Sequence, residues 1–200
     1  KAYTLGKFAR VALRTRYIDY NGRFCMSAAA AAANRALGLD RGLPFPVTDL
    51  GDADAIVLLG SNVADTMPPF VQHLAGVRSR GGLVVTDPRH SATARLTAGG
   101  AGVHLQLAPG ADLVVLLGLA HLVVAQGGVD GDYVAERVDG FDAWRRSLAS
   151  WWPERVEQRT GVPAAQLRRV AATLMAASPS RGGRGAYLLT GRGAEQHAHG

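Results

Sequence analysis

Residues 54–62, Asp54-Ala55-Ile56-Val57-Leu58-Leu59-Gly60-Ser61-Asn62, decide the fold. Five apolar residues in a row, closed by a glycine and two small polar residues, make a strand buried on both faces. The same phrase returns twice downstream. Leu83-Val84-Val85-Thr86 ends in Asp87-Pro88-Arg89, and the stretch from Val103 to Ala108 ends in Pro109-Gly110. Helical segments are expected between and after them, over 68–77 and 92–98, then from a capping Asp112 to Gln126, where Gly127-Gly128 stops the helix. Strands alternating with helices across short loops predict an α/β fold, a doubly wound, mainly parallel sheet.

Outward from this centre the texture changes. After Gly128 the pattern is helical over 130–138, 141–152, 153–160 and 163–177, a helical C-terminal extension, before Tyr187-Leu188-Leu189-Thr190 begins a new strand. Toward the N-terminus, residues 3–17 read as a short helix. Asn21-Gly22 is a turn, and a helix runs from Cys25 to Ala36 with Gly38 as its stop.

Composition narrows the function classes. Hydrophobic residues make up 48% and charged residues 19% of 200, with mean hydropathy near zero, which excludes a disordered chain or a coiled coil. The longest strongly apolar stretch, Leu113 to Ala125, contains His121 and is too short to span a bilayer. One cysteine excludes a disulfide framework and an all-thiolate metal site within these residues. The net charge of +6 is carried by scattered arginines with few aromatics between them, so neither nucleic acid nor membrane is expected as a partner. A start at Lys1 and a stop at Gly200 within a glycine-rich turn suggest an internal piece of a longer chain.

In an open parallel sheet, ligands sit beyond the carboxyl ends of the strands. Three loops qualify: Gly60-Ser61-Asn62, Thr86-Asp87-Pro88-Arg89-His90, and Pro109-Gly110-Ala111-Asp112. Glycine lets backbone approach a ligand. A carboxylate is an acceptor for paired donors, such as the adjacent N–H groups of guanine or two ribose hydroxyls. No general-base cluster accompanies these loops, so they favour nucleotide binding over bond breaking. Taken singly, each is equally a turn or helix cap. The dinucleotide fingerprint is absent after Gly60, and Gly191-Arg192-Gly193 has Gln196 where its third glycine belongs. Cys25 reads either as a small buried residue or, at the opening of a helix, as a thiolate suited to a redox metal. The histidines lack metal-ligand spacing. His121 reads as a core residue, His197 and His199 as loop residues, and the three tryptophans as packing anchors.

As an ordered series, Lys7-Phe8-Ala9-Arg10, Asn21-Gly22-Arg23-Phe24-Cys25-Met26-Ser27, Gly60-Ser61-Asn62, Asp87-Pro88-Arg89, Pro109-Gly110-Ala111-Asp112 and Gly191-Arg192-Gly193-Ala194-Glu195-Gln196 resemble the bis-molybdopterin guanine dinucleotide oxidoreductases. The nitrate reductase catalytic subunits of the assimilatory type are the most similar branch. The resemblance covers nearly the whole chain and implies a Rossmann-like dinucleotide domain within a larger multidomain enzyme. It implies that Cys25 gives a thiolate to molybdenum and that Asn21 contacts the pterin. Leu59, Gly60, Ser61 and Asn62, Thr86 to His90, and Gly110, Ala111 and Asp112 would hold one guanine dinucleotide. Arg192 and Gln196 would lie against the cofactor near the metal. Arg192 and His199 join Cys25 as the expected catalytic residues. Ala111 replaces a common threonine. His199 stands where the family tends to carry Lys or Arg, making that charge pH-dependent.

The resemblance further implies reduction of nitrate to nitrite by oxygen-atom transfer in the cytoplasm. An iron–sulfur cluster would lie outside this segment, and a ferredoxin, flavodoxin or NADH-linked donor would supply electrons. Residues 1–20 would close a preceding cofactor-binding domain, 21–178 would form the dinucleotide domain, and 179–200 would return into the neighbouring one. A formate dehydrogenase of the same family usually has His after the ligand residue, where this chain has Met26. A non-catalytic nucleotide-binding module is the alternative from another class.

Overall fold

A computed structural model of the chain describes residues 1–39 and 45–197. The chain divides into two compact units, Lys1–Gly42 and Leu43–Gly200, whereas the divisions expected at 20/21 and 178/179 follow cofactor roles.

In the first unit, α1 (Ala2–Lys7) runs into a π-type turn over Phe8–Ala12, and α2 (Gly22–Cys25) is followed by α3 (Ser27–Leu37). The helix expected to reach residue 17 is therefore shorter. The Leu13 N–H donates to Phe8, a wide i to i+5 bond, and Arg14 at φ 52° turns the chain out of the helix. Met26, at φ −112°, separates α2 from α3, so Cys25 closes a turn rather than opening the long helix.

The second unit is a parallel four-stranded sheet in the order β3-β2-β1-β4, formed by β1 (Ala55–Leu59), β2 (Leu83–Thr86), β3 (Gly102–Leu105) and β4 (Ala186–Thr190). Around it stand α4 (Val63–Thr66), α5 (Ala75–Ser79), α6 (Ala92–Arg95), α7 (Asp112–Ala125), α8 (Gly131–Arg137), α9 (Phe141–Ser147), α10 (Pro153–Thr160), α11 (Ala164–Ala177) and α12 (Arg192–Glu195). The expected α/β architecture is present. Two details differ. The Pro68-Pro69 pair starts its segment as a tight 3-10 helix to Leu74, at positions where the missing backbone N–H costs no helix bond. The helix expected over 141–152 stops at Ser147, and Trp152 is extended (ψ 154°) ahead of Pro153.

Strand alternation sorts the core into two layers. Val57, Leu59, Val84, Val103 and Leu105 face Val115, Leu119 and Leu122 of α7 and Leu167 and Val170 of α11. Ile56, Leu58, Leu83 and Val85 face the other way, onto Leu74, Val77 and Ala94. At the amino ends of β1 and β4, the Asp54 carboxylate accepts from the Arg184 backbone N–H at 2.7 Å and its guanidinium at 2.6 Å and 2.9 Å. Those hydrogen bonds, the backbone one foremost, hold its carboxyl below the ordinary aspartate range. Among the described residues no helix is long and apolar enough to cross a membrane.

Candidate functional site

The chain winds outward through β1, β2 and β3, then returns to lay β4 on the free side of β1. The strand order reverses at β1, and a crevice opens beyond the carboxyl ends of the strands there. A cleft of about 230 Å³ occupies this place, lined by Gly60, Asp87, Pro88, Arg89, Pro109, Gly110, Asp112, Gly193, Ala194 and His197.

Glycines give the cleft its shape. Gly60 (φ 59°) ends β1, and its N–H donates to Thr86 at 2.9 Å. Gly191 donates to Leu59 at 2.7 Å, and a Cβ on Gly191 would lie 2.3 Å from the Gly60 carbonyl oxygen. The two segments cross with no room for a side chain. Gly110 (φ 79°) precedes α7, and its missing Cβ would meet the His197 ring at 3.5 Å.

The two expected carboxylates converge on the same cleft. Asp87 is only 4% exposed. Its Oδ1 accepts the Arg89 N–H at 2.8 Å, with Arg89 Nε 3.8 Å away, and among the described residues Oδ2 has no partner. Asp112 stands in the first turn of α7, and its Oδ1 approaches the open face of Gly60. Ala111, not Asp112, is the residue before the helix, so the capping role expected of Asp112 is not made. Its carboxylate stands where the helix dipole favours negative charge.

The other expected residues stand outside the cleft wall. Leu59 and Ala111 are buried in the core layer beneath it. Thr86 is fully buried between Leu59 and Leu105, and its hydroxyl has no hydrogen-bond partner. Ser61 is half-buried. Asn62 donates to Asp65 at 2.8 Å and accepts from Thr93 at 2.9 Å, so its amide ties the loop to α6. His90 is exposed and packs edge-on against His104, ring centroids 5.6 Å apart. Arg192 donates to Glu195, which also accepts from the Thr190 hydroxyl. Gln196 is exposed, and His199 lies outside the described residues.

In the first unit, Asn21 and Cys25 belong to one turn. The Asn21 carbonyl accepts the Cys25 N–H at 2.9 Å, and Cys25 carries a free, half-buried thiol. Among the described residues no group of three or more His, Cys, Asp or Glu side chains could hold a metal by itself.

Sequence reasoning missed Gly193, Ala194 and His197 in the cleft wall. The run at 187–190 revealed a strand, but its place beside β1, which brings the following residues to the cleft, is a tertiary fact.

Comparison with known proteins agrees with this geometry. The family model for molybdopterin oxidoreductases matches residues 1–200. The chain is 36% identical over its whole length to the assimilatory nitrate reductase catalytic subunit of Bacillus subtilis (strain 168), covering 27% of that protein. It is 42% identical over 70% of its length to a nitrate reductase of Shewanella frigidimarina (strain NCIMB 400), covering 15% of it. Formate dehydrogenase H of Escherichia coli (strain K12) is 29% identical over 99% of the chain, which covers 26% of that enzyme. Among solved structures, acetylene hydratase from Pelobacter acetylenicus shares the fold with a TM-score of 0.63 at 19% identity, over 86% of this chain and 22% of that one. The chain therefore spans about a quarter or less of these relatives. A match along its whole length, with relatives well above 30% identity, means that the chain belongs to the molybdopterin oxidoreductase family, which implies a molybdenum–pterin cofactor.

Proposed function

We propose that the protein containing this chain is an assimilatory nitrate reductase of the cytoplasm, and that this segment holds one guanine dinucleotide arm of a bis-molybdopterin guanine dinucleotide cofactor. One observation carries the reading: Gly60, Asp87, Gly110 and Asp112, four residues expected from sequence to bind such an arm, line one cleft at the point where the strand order reverses. The donor set fits a guanine nucleotide. Bare backbone at Gly60 and Gly110 admits phosphate, Arg89 offers a cation, and the carboxylates of Asp87 and Asp112 accept from guanosine.

Within this reading Cys25 would supply a thiolate to molybdenum, and Asn21, whose carbonyl accepts the Cys25 N–H, would contact the pterin. Arg192, held by Glu195, and Gln196 would contact the cofactor near the metal, and His199 would add a pH-dependent charge for an anionic substrate. The family's cofactor, when bound, supplies the two-electron, two-proton chemistry that takes one oxygen atom from nitrate and leaves nitrite and water. An iron–sulfur cluster and a ferredoxin, flavodoxin or NADH-linked donor complete the electron route elsewhere in the full protein. Met26 after Cys25 favours nitrate over formate as substrate.

The test uses the full-length protein from a molybdate-supplied host. Stoichiometric molybdenum and nitrate-dependent oxidation of a reduced viologen are expected, with turnover lost in Cys25→Ser while the thermal midpoint is unchanged. Formate oxidation without nitrate turnover would transfer the assignment to the dehydrogenase branch. A protein without molybdenum would be a nucleotide-binding module.

A further inference from the structure

The loop that presents Asp87 is fastened from outside, by residues that the cleft itself does not contain. β3 is one edge strand of the described sheet, beside β2. Its neighbour on the cleft side is the turn Asp87-Pro88-Arg89. His104 Nε2 meets the Asp87 carbonyl oxygen at 2.9 Å. A carbonyl only accepts, so the ring carries a proton on that nitrogen. Two residues on, Gln106 Nε2 donates to the next carbonyl, that of Pro88, at 3.0 Å. Residues two apart on an extended chain project to one side, so these two donors form a ladder onto consecutive peptides.

Every polar backbone atom of the turn from the Asp87 N–H to the Arg89 carbonyl is thereby engaged. The Asp87 N–H donates to Leu105 at 3.3 Å, and the Arg89 carbonyl accepts from Ser91 at 2.8 Å. The Arg89 N–H takes Asp87 Oδ1, and Pro88 has no N–H to satisfy. The backbone that carries the carboxylate is thus held on both sides, Oδ1 is fixed by the Arg89 N–H, and among the described residues Oδ2 has no partner. Neither clamping side chain is needed for the core: Gln106 is exposed, and His104 is half-buried against the His90 ring.

We propose that His104 and Gln106 are positioning residues that set the guanine selectivity of the cleft by fixing the Asp87 carboxylate. The inference rests on the nucleotide reading given above and extends it to residues outside the cleft. A site built to pair with a donor rejects the analogue that lacks it. Inosine differs from guanosine by the absent 2-amino group, so the ratio of the two affinities reports on the clamp.

The experiment titrates guanosine diphosphate and inosine diphosphate into the full-length protein, purified from a host that does not make the cofactor. Wild type is expected to prefer the guanosine form by about tenfold or more. The double variant His104→Leu/Gln106→Ala should bring the ratio close to one, and the exposed single change Gln106→Ala should lower it part-way with an unchanged thermal midpoint. His104→Gln keeps an N–H donor near the Nε2 position and should restore the preference. An unaltered ratio in both Gln106→Ala and a folded double variant overturns the clamp while leaving the nucleotide reading in place. Equal affinity for the two in wild type overturns the clamp, and failure of wild type to bind either one overturns the nucleotide reading and the clamp with it.

Discussion

The Leu43–Gly200 unit and the Lys1–Gly42 unit use apolar residues in opposite ways. In the former, Ile56, Leu58, Leu83, Val85 and Leu105 are fully buried within a parallel sheet. In the latter, Tyr3, Phe8, Tyr17, Tyr20 and Phe24 are all more exposed than not, Phe24 at 87%, and among the described residues those buried are the small Ala9 and Gly22. Large exposed apolar side chains in such numbers mark surfaces that bind something, and short helices without a packed face are marginal by themselves. The cleft beyond β1 therefore rests on a core of its own. The turn bearing Asn21 and Cys25 is shaped by local hydrogen bonds.

The largest test of that contrast is a pair of truncations. Leu58→Ala opens a hole in the closed layer and should cost about 2–5 kcal/mol, read from urea denaturation of the 200-residue chain by itself. Phe24→Ala, at a side chain that buries little, should change the same measurement by about 0.5 kcal/mol or less. Equal losses would mean that the first unit has a core of its own after all.

A smaller effect is expected at the crossing of Gly60 and Gly191. Gly191→Ala places a methyl 2.3 Å from the Gly60 carbonyl oxygen, and the backbone must shift at a cost of about 1–3 kcal/mol. The cleft should suffer more than the core. Calorimetric titration with guanosine diphosphate should show weakened binding while the far-UV spectrum stays that of an α/β fold.

The Asp54–Arg184 clamp at the opposite ends of the strands gives a pH signature. A carboxyl held below its ordinary value of 3.8 contributes stability that is fully present above that pH and is lost as the pH falls through the lower folded value. Asp54→Asn should remove this acid limb from a plot of thermal midpoint against pH. The smallest change is expected from Glu154→Gln. Its carboxyl is also lowered, first by the hydrogen bond from Arg168, but the pair lies on an exposed helix surface where salt and solvent screen it. Its acid limb should be shallower than that of Asp54.

How much of this could be read from the chain follows the same division. Runs such as Ile56 to Leu59 and Leu83 to Val85 announce buried parallel strands because burial on both faces leaves no alternation. Their ends are also legible, since Gly60, Asp87 and Gly110 are the residues a chain needs where it leaves a strand toward a ligand. Residues 13–17 are different. Nothing in Leu13-Arg14-Thr15 forbids a helix, and the positive φ of the exposed Arg14 is not written in its helix propensity. The cleft was legible where one loop supplies a residue and hidden where pairing does. Gly193, Ala194 and His197 arrive only because β4 joins β1. His104 and Gln106 matter only because β3 lies beside the Asp87 turn. Asn62 was legible as a polar loop residue, yet its amide is spent on Asp65 and Thr93.

The most direct measurement counts what the purified full-length protein carries: molybdenum by elemental analysis and guanine released by acid, both per chain. The account predicts one molybdenum with two guanines, and loss of guanine without loss of fold when Asp87 and Asp112 are both changed to Ala. Molybdenum present with no guanine, or guanine content untouched by that double change, would contradict it.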